Sequence, residues 1–156
     1  MENSIRKFIF EHKEELMLFD LMNDDEMEHI IPYFEIVHFR KDTTLFSEGD
    51  HENFLGFIVS GLIEVMKATE FKGNRIVIAT LSKGSLVGGM SLVNVNAQRM
   101  VTAVALENSE LVKLKRDDFD KIIETYPHTG IKILKGLNQI LAIRLQKCFE
   151  RLAAVF

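Results

Sequence analysis

Phe54-Leu55-Gly56-Phe57-Ile58-Val59-Ser60-Gly61-Leu62-Ile63-Glu64-Val65-Met66-Lys67 holds two β-type runs, 54–60 and 62–67, split by Ser60-Gly61. β-branched and aromatic residues fill both runs, and the serine-glycine pair between them is a turn signal. The same texture extends in both directions. Further short runs fall at Glu35–Phe39, Thr44–Phe46, Arg75–Leu81, Ser85–Val87, Val101–Ala105 and Glu110–Lys115. Between them lie Glu48-Gly49-Asp50, Lys72-Gly73-Asn74, Lys83-Gly84 and Glu107-Asn108-Ser109. Gly49, Gly61, Gly73 and Gly84 read as turn residues, because glycine reaches backbone angles that other residues avoid. Both prolines, Pro32 and Pro127, fall outside the runs, so no strand lacks a donor for that reason. Eight short strands at this spacing predict an eight-stranded β jelly roll, a double-stranded β-helix.

Helical periodicity flanks the strands, so the fold class is mainly β with N-terminal helices and a long C-terminal helix. Ile5, Phe8, Ile9, Leu16 and Phe19 form an apolar face, interrupted between His12 and Glu15. Asn23 is placed to cap a second helix, with Glu26 where a capping box wants a carboxylate. Met27, Ile30, Ile31 and Phe34 then follow at helical spacing. After Lys115, Asp117 is the expected cap of a helix through Phe119, Ile122 and Ile123. A longer helix is predicted from about Gly130 to Leu152. It carries two apolar stripes, one of Leu134, Leu141, Leu145, Cys148 and Leu152, the other of Ile133, Leu137 and Ile140 with positions flanking Phe149. A helix apolar on two sides needs two burial surfaces. One is the roll. The other is either the same large core or the same helix in a second subunit, which makes a homodimer through the C-terminal helix an expectation. One domain over 1–156 results, with N-terminal helices in 1–34, the roll in 35–115 and C-terminal helices in 116–156.

Composition narrows the class. The 156 residues are 47% hydrophobic and 27% charged, which is the balance of a globular protein with a core. A net charge of −4 does not favour nonspecific nucleic-acid binding. The single cysteine, Cys148, rules out an internal disulfide and fits a reducing cytoplasm. No apolar run reaches membrane-spanning length, and Met1-Glu2-Asn3-Ser4 lacks a secretory pattern. A cytoplasmic protein without membrane contact is expected.

These features in order resemble the cyclic-nucleotide-binding domain of the CRP/FNR superfamily and of regulatory subunits and channels. Leu18-Phe19 with Asn23–Glu26 is similar to that family's first helix. Phe46-Ser47-Glu48-Gly49-Asp50 resembles its strand-to-turn signature, and Phe57–Val65 its hairpin. The decisive stretch is Val87-Gly88-Gly89-Met90-Ser91-Leu92, followed by Arg99 and Met100-Val101-Thr102-Ala103. Glycines let backbone N–H groups approach an anion, and a guanidinium grips a phosphate with two prongs. The resemblance implies a phosphate cassette whose ligand-binding residues are Gly88, Gly89, Met90, Ser91, Arg99 and Met100. It implies cAMP or cGMP as ligand, no other cofactor, and a sensor that signals through the C-terminal helix. Asn138, Gln139 and Arg144 are the polar residues that helix would bring to the lid.

Two residues depart from the family pattern. Gly89 stands where the family has a carboxylate for the ribose hydroxyl, and Met100 where it has a hydroxyl for the phosphate. Losing two such contacts weakens binding by roughly tenfold to several thousandfold. The departures favour a second reading, in which a degenerate domain serves as a dimerisation or protein-interaction scaffold. Arg99 itself reads either as the phosphate ligand or as a solvated arginine of the 94–98 loop. The chain leaves no room for the helix-turn-helix that superfamily transcription regulators carry after the long helix. It therefore reads as a standalone sensor or the sensor half of such a regulator, with no direct DNA binding.

Enzymatic chemistry has little support. His12, His29, His38, His51 and His128 are scattered rather than paired at metal-ligand spacing, so no metal site is expected. His51-Glu52 falls in a turn and is read as solvent-exposed. No nucleophile elbow is present, and Cys148 lies on an apolar helix face.

Overall fold

The alternation of the central runs becomes two antiparallel four-stranded sheets in the computed structural model, which describes residues 2–14, 16–71 and 73–155. Among these residues the strands are β1 (Phe34–Phe39), β2 (Thr44–Phe46), β3 (Phe54–Ser60), β4 (Ile63–Ala68), β5 (Arg75–Leu81), β6 (Leu86–Gly88), β7 (Thr102–Ala105) and β8 (Ser109–Lys115). One sheet has the order β1-β8-β3-β6 and the other β2-β7-β4-β5. The predicted jelly roll is therefore present, each strand within a residue or so of its expected place. Glu15 and Lys72, which the sequence places in the helix interruption and in a turn, lie outside the described residues, as do Met1 and Phe156.

β3 explains its own composition. It is paired on both sides, Phe57 facing Val112 of β8 and Leu86 of β6. Leu55 and Phe57 join the cluster formed with the helices, while Ile58 joins the cluster between the sheets with Phe46, Ile63, Val87 and Leu111. A strand buried on both faces loses polar alternation and reads as a continuous apolar run. Phe19, Phe57 and Phe119 are buried to 1% exposure or less, each contributing about 2–3 kcal/mol through burial.

The helices cover the first sheet. They are α1 (Glu2–Glu11), α2 (Asp24–Ile30), α3 (Arg116–Thr125) and α4 (Pro127–Ala153), with a 3-10 turn at Met17–Phe19. Asn23 Oδ1 accepts from Glu26 N at 2.8 Å and Glu26 Oε2 accepts from Asn23 N at 2.9 Å, the expected capping box. Three boundaries differ from expectation. α2 ends at Ile30, with Ile31 in a 3-10 turn that contains Pro32 and Phe34 already the first residue of β1. α3 begins at Arg116, so Asp117 is not its cap but stands with Asp118 in the first turn, where a carboxylate complements the helix dipole. α4 begins at Pro127, not Gly130, because proline at the first helical position gives up a donor that has no partner there.

Glycines inside α4 serve close approach. A β-carbon on Gly136 would lie 2.7 Å from both Leu18 Cα and Leu18 O, and one on Gly130 would lie 2.7 Å from Ile123 Cγ1. α4 thus lies backbone to backbone on the Met17–Phe19 turn. Lys132 adds a tie to α2, donating to both oxygens of Glu26 at 2.7 Å. The two stripes of α4 divide along its length. Ile133 and Leu137 are buried and Leu134, Ile140 and Leu141 pack beside them, whereas Leu145, Phe149 and Leu152 are exposed. Cys148 is exposed as well.

Candidate ligand site

Two loops build the centre of the site, and backbone pairing fixes both. Arg99 N donates to Asp50 O at 2.7 Å, Gly49 N to Arg99 O at 2.8 Å, and Glu52 N to Ala97 O at 2.8 Å. The stretch after Gly49 and the stretch before β7 are thereby held edge to edge, with Arg99 and Glu52 on adjacent sides.

Arg99 is not the solvated arginine that one reading allowed. Its side chain is 2% exposed, with the guanidinium carbon 4.1 Å from the Phe46 ring centre and 4.2 Å from that of Phe54. Such a sandwich orients a cation through the negative faces of two rings. Nη2 donates to Phe54 O at 3.2 Å. Nη1 stands 3.4 Å from Glu52 Oε2, an ion-pair contact rather than a hydrogen bond. Burial pulls the Arg99 pKa below its ordinary range, and the Glu52 and Asp50 charges oppose that shift.

The glycine pair completes a cradle. Gly88 at φ +76° and Gly89 at φ +122° take angles that favour glycine, and they turn the chain from β6 into a 3-10 turn at Met90–Leu92. The freed amides converge on one acceptor. Gly89 N donates to Glu52 Oε1 at 2.8 Å and Ser91 N to the same oxygen at 3.0 Å. Two amides and a guanidinium form an anion site of the kind that binds phosphate groups, and here they surround a carboxylate of the chain itself. A β-carbon on Gly88 would lie 2.5 Å from Arg99 Nη1 and 2.7 Å from Phe54 O. Only glycine fits there.

The turn carrying Glu52 was expected to face solvent, and that expectation fails for Glu52. His51 is exposed, but Glu52 is 4% exposed and is the acceptor at the centre of the site. Its place depends on pairing with a loop more than forty residues away, which local turn signals do not encode. The one available hint is that Gly89 leaves the arginine without its expected carboxylate.

The expected site residues separate into two groups. Gly88, Gly89, Ser91 and Arg99 come together around Glu52. Ser91 is fully buried, and its Oγ has no partner among the described residues. Met90 and Met100 are 41% and 68% exposed and stand apart from the cradle. Asn138 and Gln139 are exposed too. Arg144 is the lid candidate that reaches the roll, donating from Nη2 to Leu86 O.

A cavity of about 430 Å³ adjoins the cradle between the roll and α4. Val65, Leu81, Leu86 and Val87 give it apolar walls, and α4 contributes Arg144, Lys147, Cys148 and Arg151. Phe46 and Gly88 belong to both cavity and cradle. Burial lowers the pKa of Arg144, which has no carboxylate partner among the described residues. A second concavity of about 560 Å³ is lined by Ala68, Thr69, Gly73, Asn74 and Arg75, and includes none of the cradle residues among the described ones.

This arrangement matches a known family model. The model described as the cyclic nucleotide-binding domain aligns with residues 36–126, from β1 through α3. The chain belongs to the cyclic nucleotide-binding domain family. A curated relative, the cyclic AMP receptor protein of Thermus thermophilus, is 29% identical over 130 residues, covering 83% of this chain and 57% of the relative. The chain thus spans little more than half of that relative's length. A cyclic nucleotide-binding domain from Methylobacillus flagellatus superposes with a TM-score of 0.83 at 24% identity, covering 95% of this chain and 86% of that one, and shares the fold. The regulatory domain of Toxoplasma gondii PKA, co-crystallised with cAMP, superposes with a TM-score of 0.61 at 25% identity, covering 71% of this chain and 44% of that one. In this cyclic nucleotide-binding domain no described helix is long and apolar enough to cross a membrane.

Proposed function

We propose that this domain is a regulatory module that binds a small anionic ligand of the cyclic-nucleotide class between its roll and α4, and signals through α4. The observation that carries the reading is the shared cavity. Its walls are apolar, as a base requires, and its α4 side presents Arg144, a partly buried cation without a carboxylate partner among the described residues. Burying a lone charge is costly, and an anionic ligand offsets that cost. A ligand touching both sides favours one placement of α4 over others, which is the condition for a conformational signal. The name of the Thermus relative, a cyclic AMP receptor, supports the same class of ligand.

The output surface in this reading is the exposed end of α4. Leu145, Phe149 and Leu152 recur at helical spacing on one stripe, and a second copy of the same helix is the partner that would cover it. The relatives support a regulatory role rather than catalysis. One observation favours a second reading, a domain retained as a dimerisation scaffold: the anion cradle already holds Glu52.

Calorimetric titration with cAMP and cGMP tests the proposal. Saturable binding is expected for one of them, weakened at least tenfold in Arg144→Ala. Absence of saturable heat with both nucleotides overturns the ligand reading and leaves the scaffold.

A further inference from the structure

The cradle and the cavity assign different tasks to two sets of cations. We infer that Glu52 is a specificity-determining residue, a resident carboxylate that closes the cradle of Gly89 N, Ser91 N and Arg99 to an external phosphate, so that a ligand's anionic group is met by Arg144, Lys147 and Arg151 instead. The second half rests on the proposed ligand reading; the first stands without it.

Occupancy is the first argument. Glu52 Oε1 accepts from both converging amides, at 2.8 Å and 3.0 Å, and Oε2 faces Arg99 at 3.4 Å. Both converging amides are therefore taken, and the Arg99 guanidinium faces the same carboxylate at ion-pair distance. Space is the second. A single β-carbon added at Gly88 would already lie 2.5 Å from Arg99 Nη1 and 3.4 Å from Glu52 Oε1, so a phosphate does not fit beside the carboxylate. Charge is the third, since a phosphate brought into the cradle would lie against the Glu52 carboxylate itself, and like charges repel strongly in a dry site. Competition also favours the resident group. Glu52 is joined to the cradle by its own chain and its amide is pinned to Ala97 O, which gives its carboxylate a high effective concentration.

The cations of α4 are left for the ligand. Arg144 lines the cavity with Lys147 and Arg151, and none of the three is ion-paired among the described residues. A ligand with an apolar body against Val65, Leu86 and Val87 carries its charge toward α4 in this arrangement.

The test compares wild type, Glu52→Ala and Glu52→Gln in thermal melts with inorganic phosphate against sodium chloride of equal ionic strength, and in calorimetry with cAMP. Glu52→Ala vacates the cradle and leaves Arg99 unpaired. Its melting temperature is expected to rise saturably with phosphate while that of wild type tracks the salt control. Its affinity for cAMP is expected to exceed that of wild type at least tenfold. Glu52→Gln keeps the volume and loses the charge, so it gives the same ordering with a smaller gain and serves if Glu52→Ala does not fold. Saturable phosphate binding to wild type, or no gain in either variant, overturns the inference. Phosphate saturation confined to the variants with no cAMP binding by any protein upholds the closed cradle and refutes the ligand reading. Wild-type binding of cAMP with no gain in the variants does the reverse.

Discussion

A β-carbon on Gly89 would lie 2.8 Å from Leu137 Cδ1, so the turn of the anion cradle rests directly on α4. The amide of the same residue donates to Glu52. One glycine thereby joins the cradle to the helix proposed to carry the signal. A side chain at this point would have to displace a residue that is itself buried.

The two cassette glycines should differ in their tolerance of alanine. In Gly89→Ala the new methyl meets the end of a leucine side chain, which can rotate, leaving mainly the cost of positive φ, about 1–3 kcal/mol. In Gly88→Ala the methyl also meets the backbone carbonyl of Phe54 at 2.7 Å, which cannot move without disturbing β3. Urea denaturation is expected to show the larger loss in Gly88→Ala. Equal losses would mean that β3 yields as readily as a side chain.

Arg99 and Glu52 should behave as a unit. Removing either partner of a buried pair leaves an uncompensated charge and costs about 3–5 kcal/mol. Arg99→Ala and Glu52→Ala are each expected to lose that much, and the double variant less than their sum by about 0.5–3 kcal/mol. Additive losses in a denaturation cycle would show that the rings of Phe46 and Phe54, not the carboxylate, hold the guanidinium.

Acid should release the tie between α2 and α4. Lys132 donating to both oxygens and Asn23 N–H donating to one hold Glu26 below the ordinary glutamate value of 4.5. A carboxylate depressed in the folded state stabilises it fully above the unfolded pKa and stops doing so as pH falls through the folded value. Glu26→Gln is expected to melt about 1–3 °C below wild type near neutral pH, given a half-buried surface ion pair of about 0.5–1 kcal/mol. Differential scanning calorimetry should find that gap closing as the pH is lowered beneath 4.5. A gap that persists in acid would place the effect in helix capping alone.

The exposed stripe of α4 makes a prediction about assembly. Phe149 is 62% exposed between Leu145 and Leu152, so charging it disturbs no internal contact of one chain. Phe149→Glu is expected to sediment as a folded monomer whose melting temperature does not depend on protein concentration, and wild type as a dimer whose melting temperature does. Identical sedimentation of the two proteins would remove α4 as the interface.

Much of this molecule was legible before its tertiary structure. The strand runs emerged at nearly their observed bounds, because pleated alternation and positive-φ glycines are local properties. The Asn23–Glu26 box was equally local, spanning three residues. Local reading misplaced the start of α4 at Gly130, since that glycine and Gly136 answer to Ile123 and Leu18 rather than to helix propensity. It also separated the cassette from the turn before β3. Sequence alone determined the family, the roll and an arginine set near a glycine pair. Only the tertiary structure decided that Arg99 is buried between two rings, and that Glu52 fills the cradle while Met90 and Met100 stay outside it. The reason is physical: a buried ion pair is made by groups distant in the chain, and its existence depends on the loss of water that only packing brings about.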